Sequence, residues 1–191
     1  MTREVHARRH MPGEEGIWVF ILGDILVFSL FFITFLYYRG QDLAVFVASQ
    51  AQLNQRLGVL NTFLMLTSSW FVATAVQAAR SGANRSTPVC LLLALLCGAG
   101  FVVAKYVEYS AKIRAGLTLN TNDFYMYYYM FTGIHLLHVI IGMGVLLYLW
   151  RISSVANYEA QTLRNLESGG SFWHVVDLLW IVLFALFYLV K

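Results

Sequence analysis

The chain has 191 residues, 59% of them hydrophobic and only 12% charged, with a mean hydropathy of +0.65. A water-soluble domain of this size needs far more polar surface, so the sequence describes an integral membrane protein. The formal net charge of +3 is spread over loops, which argues against a nucleic-acid surface or a polybasic lipid anchor.

Five apolar runs are long enough to cross a hydrocarbon core of about 30 Å at a helical rise of about 1.5 Å per residue. They predict transmembrane helices over 17–38, 58–79, 89–109, 124–150 and 173–190. No proline- or glycine-rich linker divides them, so the expected architecture is all-α, a single membrane domain of five helices. The first run exceeds the apolar core of a signal peptide, and Tyr37-Tyr38-Arg39 is no cleavage site, so it reads as a retained helix. Pro12 and Pro88 stand at helix entrances, where a missing N–H is harmless. Ser69 with Ala73 and Ala94 with Gly98 are small residues spaced by four that permit close helix contact. Cys90 and Cys97 are about 10 Å apart along one helix, beyond disulfide reach, and read as packing residues. Tyr125, Tyr127, Tyr128 and Tyr129, with Trp150 and Trp173, read as anchors at the membrane–water interface.

Four of the five runs contain ionisable residues, which are costly in lipid and mark function or helix–helix seals. Asp24 lies about 10 Å into the first helix. Lys105 and Glu108, beside Tyr109, form an i,i+3 pair on the third, expected as an ion pair at the outer boundary with Lys105 reaching toward water. His135 and His138 share a helix face at mid-span on the fourth, and depth arithmetic puts His138 at the height of Asp24. An unpaired carboxylate there would cost several kcal/mol, so Asp24 is expected to hydrogen-bond His135 or His138 rather than face lipid. His174 and Asp177 repeat the i,i+3 spacing near the inner end of the last helix, followed by Trp180. They are suited to binding a lipid headgroup, contacting a partner or capping the helix entrance.

The histidines do not suggest a haem or metal centre, because a membrane haem needs two axial histidines from different helices and a metal generally three or four ligands. A stand-alone proton-coupled transporter is the competing class. Five spans cannot form two equal inverted halves, however, and no internal repeat is visible.

The polar residues also fall in recognisable motifs. The run Thr132-Gly133-Ile134-His135-Leu136-Leu137-His138-Val139-Ile140-Ile141-Gly142 resembles the T-G-x-H-x-x-H-V-x-x-G helix of subunit III of haem-copper respiratory oxidases. Glu167, followed by Phe172-Trp173-His174-Val175-Val176-Asp177-Leu178-Leu179-Trp180, is similar to that family's E-x(5)-W-H-F-V-D-x-x-W signature. Leu60-Asn61-Thr62 resembles its L-N-T element, and Glu108-Tyr109 its E-Y pair. The first helix departs from the pattern: the family usually places a carbodiimide-reactive glutamate there in an S-E-x-x-F context, and this chain has aspartate in Gly23-Asp24-Ile25-Leu26-Val27-Phe28.

The resemblance, to the five-helix branch that lacks the family's first two helices, implies a subunit of a bacterial respiratory complex that binds no redox cofactor itself. Its implied partner is a catalytic subunit holding haem with copper, or haem with non-haem iron if the complex is a nitric oxide reductase. Phospholipid between helix groups is implied too, as is support for proton uptake and sustained turnover, with Asp24, His135 and His138 the candidate proton-related residues. Asn61, Lys105, Glu108, Tyr109, Glu167, Trp173, His174, Asp177 and Trp180 become candidates for lipid or partner contact. The short length, the opening Gly16-Ile17-Trp18-Val19-Phe20 and the compact loops incline toward the nitric oxide reductase accessory type.

Orientation follows from basic residues in the loops. Arg3, Arg8, Arg9, Arg80, Arg85, Arg151 and Arg164 fall on one side, and Arg39, Arg56, Lys112, Arg114 and Lys191 on the other. The arginine-rich flank of the first helix places the N-terminus in the cytoplasm and the C-terminus in the periplasm. Reporter fusions should therefore find the N-terminus and the 80–85 loop inside the cell and Lys191 outside; a cytoplasmic C-terminus would overturn this orientation.

Overall fold

A computed structural model describes residues 15–82, 85–155 and 160–190. The N-terminal arginines, Pro12 and Lys191 lie outside the described residues. Six α-helices follow one another: α1 Glu15–Gln41, α2 Leu43–Ala51, α3 Gln55–Arg80, α4 Ser86–Arg114, α5 Asp123–Val155 and α6 Ala160–Phe184. A π-helical turn, Ala185–Leu189, prolongs α6. All except α2 are long and apolar enough to span a membrane.

Each helix outruns the apolar run that predicts it, because the polar ends of a span remain helical where they meet the headgroups. The largest difference is in α6, which begins at Ala160 rather than near 173. Trp173 and His174 are consequently at mid-helix, not at an entrance. The short α2 has no counterpart in the hydropathy pattern. It follows the 41–42 break and is capped by Asp42, whose carboxylate accepts from the Val45 N–H.

Local signals set the other boundaries. Asn54 caps α3 by accepting from the N–H groups of Arg56 and Leu57, satisfying donors that the first turn leaves free. At the end of α4, Gly116 takes φ +77. Leu117 N–H then reaches Lys112 O, and Gly116 N–H reaches Ile113 O, the paired bonds of a Schellman stop. Within the spans Thr34, Thr62 and Thr74 return their hydroxyl protons to the carbonyl four residues back, so these polar side chains make no demand on lipid.

The core lies among α3, α4, α5 and α6, with α3 and α4 the most extensive pair. Ser68 Oγ donates to Ala94 O at 2.8 Å across that pair. The peripheral α1 is attached by one stripe, Ile21, Phe28 and Phe35, each almost fully buried. Phe31 stacks on Phe131 at 5.2 Å, and Phe35 meets Phe187 edge-on at 5.0 Å.

The aromatic belt expected at the span ends is largely absorbed into this core. Tyr125, Tyr127, Tyr128 and Trp173 are buried: the tyrosines, in the first two turns of α5, pack on Phe124, Phe35 and Phe187, and α6 begins well before Trp173. Trp173 packs against two glycines. A Cβ on Gly142 would fall 2.8 Å from its ring, and one on Gly98 3.2 Å.

Those contacts make a test on one helix. Gly142→Ala should destabilise the bundle by about 1–3 kcal/mol, since a buried indole cannot move aside. Gly133→Ala, with nothing within 4 Å of the new methyl, should be neutral or stabilise by up to about 1 kcal/mol. Unfolding of the two variants in detergent checks the difference.

Candidate functional site

The polar residues within the spans form three clusters. The deepest is centred on Lys105. Its Nζ lies 2.9 Å from Glu108 Oε2 and within 3.4 Å of the hydroxyls of Tyr128 and Tyr188. Tyr188 donates to Glu108 Oε1 at 2.6 Å. Four rings surround the ammonium: Trp180 at 4.7 Å, Tyr128 at 5.2 Å, and Tyr109 and Tyr188 at 5.7 Å to their centroids. Helix α4 supplies the ion pair through its i,i+3 spacing, α5 supplies Tyr128, and the π-turn after α6 supplies Tyr188.

This corrects the sequence reading of Lys105. It does not reach outward to water: Lys105 is 0% exposed and Glu108 2%. Its neighbours are hydroxyls and aromatic faces that hold a cation where it lies, so no route to the headgroups is needed. Tyr128, read from the sequence as an interfacial anchor, is instead part of an aromatic cage that encloses the chain's own lysine. Tyr188 was missed entirely; the available signal was its place two helical turns beyond Trp180, with the same side turned inward.

The second cluster joins α1 to α5. Asp24 Oδ2 and His138 Nε2 are 3.4 Å apart, so the structure brings together the two groups that depth arithmetic matched. His138 Nδ1 lies 2.9 Å from Ile134 O; a carbonyl only accepts, so Nδ1 carries a hydrogen. Nε2 is then the ring nitrogen that faces the Asp24 carboxyl across the α1–α5 contact. His135 does not join it. One turn along α5 the ring turns inward to lie edge-on to Phe101 at 5.7 Å and beside Trp180 at 5.4 Å, and neither of its nitrogens has a hydrogen-bond partner.

The third cluster lies between α3 and α6. His174 Nδ1 is 2.6 Å from Ser69 Oγ, and Asp177 follows one turn further along α6. Arg80 bridges to Glu167 at 2.8 Å toward the end of α3. Because α6 starts at Ala160, His174 and Asp177 lie too far along it to cap its entrance, which removes that reading. Nearby, Trp180 Nε1 donates to Thr62 Oγ1 at 3.1 Å.

Of the residues expected at a lipid or partner surface, Asn61, Lys105, Glu108, Trp173, Asp177 and Trp180 are buried within the chain. Asn61 is the plainest correction, fully enclosed with both amide atoms unpartnered; it lies in the second turn of a helix that starts earlier than its apolar run. Tyr109, Glu167 and His174 are only partly buried.

The three histidines of the spans face three different environments, an aromatic pocket, a carboxylate and a serine. Among the described residues no three His, Cys, Asp or Glu side chains are grouped as a metal site. The fold and these clusters define a helical membrane bundle with ion pairs, one within α4 and others between neighbouring helices.

Comparison with known proteins is specific. The family model for cytochrome c oxidase subunit III matches residues 5–191. Quinol oxidase subunit 3 of Bacillus subtilis is 30% identical over 91% of this chain and 85% of its own length. Cytochrome c oxidase subunit 3 of Thermostichus vulcanus is 28% identical over 96% and 90%. In Aeropyrum pernix the similar protein is a haem-copper oxidase subunit I+III, 27% identical over 92% of this chain and 22% of its own length. The chain belongs to the cytochrome c oxidase subunit III family.

Two predictions test the clusters. Lys105→Met alone leaves a buried carboxylate and should cost about 3–5 kcal/mol, whereas Lys105→Met with Glu108→Gln should recover most of it; detergent unfolding of the single and double variants measures the coupling. At the α1–α5 contact Asp24→Asn should be tolerated, since an amide still donates and accepts, while Asp24→Leu should loosen α1. Limited proteolysis near α1 distinguishes them, and equal sensitivity would show that the pair does not hold this helix.

Proposed function

We propose that this chain is the non-catalytic third subunit of a haem-copper oxidase, binding no redox cofactor itself and sustaining assembly and proton-coupled turnover of the catalytic subunit. The observation that carries the reading is the subunit III family match along nearly the whole chain. The Aeropyrum relative, named as subunit I and subunit III together, adds support: one polypeptide joins a subunit III-like part to a larger partner. The proposed location is the bacterial cell membrane, with the N-terminus cytoplasmic and the C-terminus periplasmic and structural phospholipid around the bundle.

A nitric oxide reductase remains the alternative host. Short length, which inclines the sequence toward that host, is shared with the Bacillus quinol oxidase subunit, 85% of which aligns. It therefore does not choose between them, and the oxidase reading follows the names of the relatives. Asp24 and His138 support a role in proton handling because an acid and an imidazole, two groups able to exchange a proton, face each other within the spans.

The test is purification of the chain from its native membrane in mild detergent. A haem protein should co-purify, and its spectrum identifies the host. The chain alone should show no Soret band, and a stoichiometric one would overturn the cofactor-free reading. Deleting the chain should shorten the period of sustained turnover while leaving the partner's cofactors in place. A colourless chain that elutes without partners would instead favour the transporter.

A further inference from the structure

The outward faces of the bundle are not alike. Exposed positions on α1 include Val19, Leu22, Leu26 and Leu30, on α4 Val89, Leu96 and Val103, and on α5 Leu137, Ile140 and Leu147. Such surfaces match hydrocarbon and are complete in lipid. The Asp24–His138 contact joins two helices of this chain, so it makes no demand on a neighbour either.

Between α3 and α6 the surface changes character. A groove of about 460 Å³ runs there, with Ala73, Gln77 and Arg80 on one wall and Gly170, Ser171 and His174 on the other. Asp177, three residues beyond His174, is 5% exposed, and its Oδ1 has no hydrogen-bond partner. Trp70, one turn from Ala73, is 63% exposed and lies about 15 Å along α3 from Arg80. Tryptophans that anchor to headgroups sit at the ends of a span; an indole on the surface at this depth carries an N–H that acyl chains cannot satisfy.

Three properties converge on this face. His174, at mid-α6 on the groove wall, is a poor lipid contact and a good helix–helix contact. Small residues on both walls, Ala73 and Gly170, allow a neighbouring backbone to approach. An exposed tryptophan beside a groove is the type of side chain that dominates interface energetics. We propose that the α3/α6 groove, with Trp70 on its rim, is the face on which a transmembrane helix of the catalytic subunit docks. That helix presents a hydrogen-bonding side chain to His174 and an apolar surface to Trp70. The occupant rests on the proposed function, and the location rests on the groove alone.

The experiment uses the affinity-tagged full chain in its native membrane and reads haem protein retained per chain after mild solubilisation. Trp70→Ala and Ala73→Phe alter exposed positions and should each lower retention at least about tenfold. Val103→Ala and Leu137→Ala, on the apolar faces, should leave it unchanged. A photo-crosslinking amino acid at position 73 should capture the catalytic subunit, and one at position 103 should not. Unchanged retention in both groove variants, capture of the catalytic subunit from position 103 but not 73, or capture of a second copy of this chain from position 73 would each overturn the docking face. A wild-type chain that retains no haem protein would overturn the proposed function, and this inference with it.

Discussion

An ammonium and a carboxylate lie side by side in the apolar interior, and much of the bundle is arranged to keep them there. Removing either charge from water costs several kcal/mol even after relaxation, and attraction between the two offsets it only if their remaining hydrogen-bonding capacity is used. Lys105 and Glu108 meet that condition with groups from three helical segments. Tyr128 on α5 and Tyr188 beyond α6 supply hydroxyls, and the Trp180 ring covers the ammonium. The pair thereby fixes the rotation and height of α5 and α6 relative to α4, a specification that apolar packing alone leaves loose.

The glycines serve the same arrangement from the other side. Gly58 lies where a Cβ would meet Tyr188 at 2.8 Å, so the absent side chain on α3 gives the tyrosine room to reach Glu108. Gly142 and Gly98 do the same for Trp173. Aromatic bulk and missing side chains are thus complementary: rings that would hold ordinary helices apart are received by positions with nothing to displace.

Much of this was legible in the sequence. The five spans and the membrane class follow from run length and hydropathy, though α2 does not, and the meeting of Asp24 with His138 follows from depth, because a helix converts residue number into height. Rotation about the helix axis is less visible. His135 and His138 share a face only approximately, and the sixty degrees or so between i and i+3 positions separates an aromatic pocket from a carboxylate. Hydropathy also misplaces residues wherever helix continues beyond the apolar run, which is why Trp173, His174 and Asn61 lie deeper than expected. The cage around Lys105 was obscured because a tyrosine cluster at a span end has two destinations, headgroups or core, and sequence spacing does not separate them.

The i,i+3 placement of Lys105 and Glu108 also bears on how the protein enters the bilayer. Both charges belong to α4, one turn apart, so their neutralisation requires no contact with another helix. As α4 leaves the translocation machinery Lys105 and Glu108 can partition as a neutral pair, leaving Lys112 and Arg114 in the helix's last turn, whereas a lysine matched only by an acid on α6 would wait in hydrocarbon for a helix not yet made. Tyr128 and then Tyr188 arrive in the order of synthesis, each adding a donor or acceptor to a pair already formed. Biogenesis therefore meets the electrostatic barrier within one helix, and assembly of the later helices only tightens what insertion has settled.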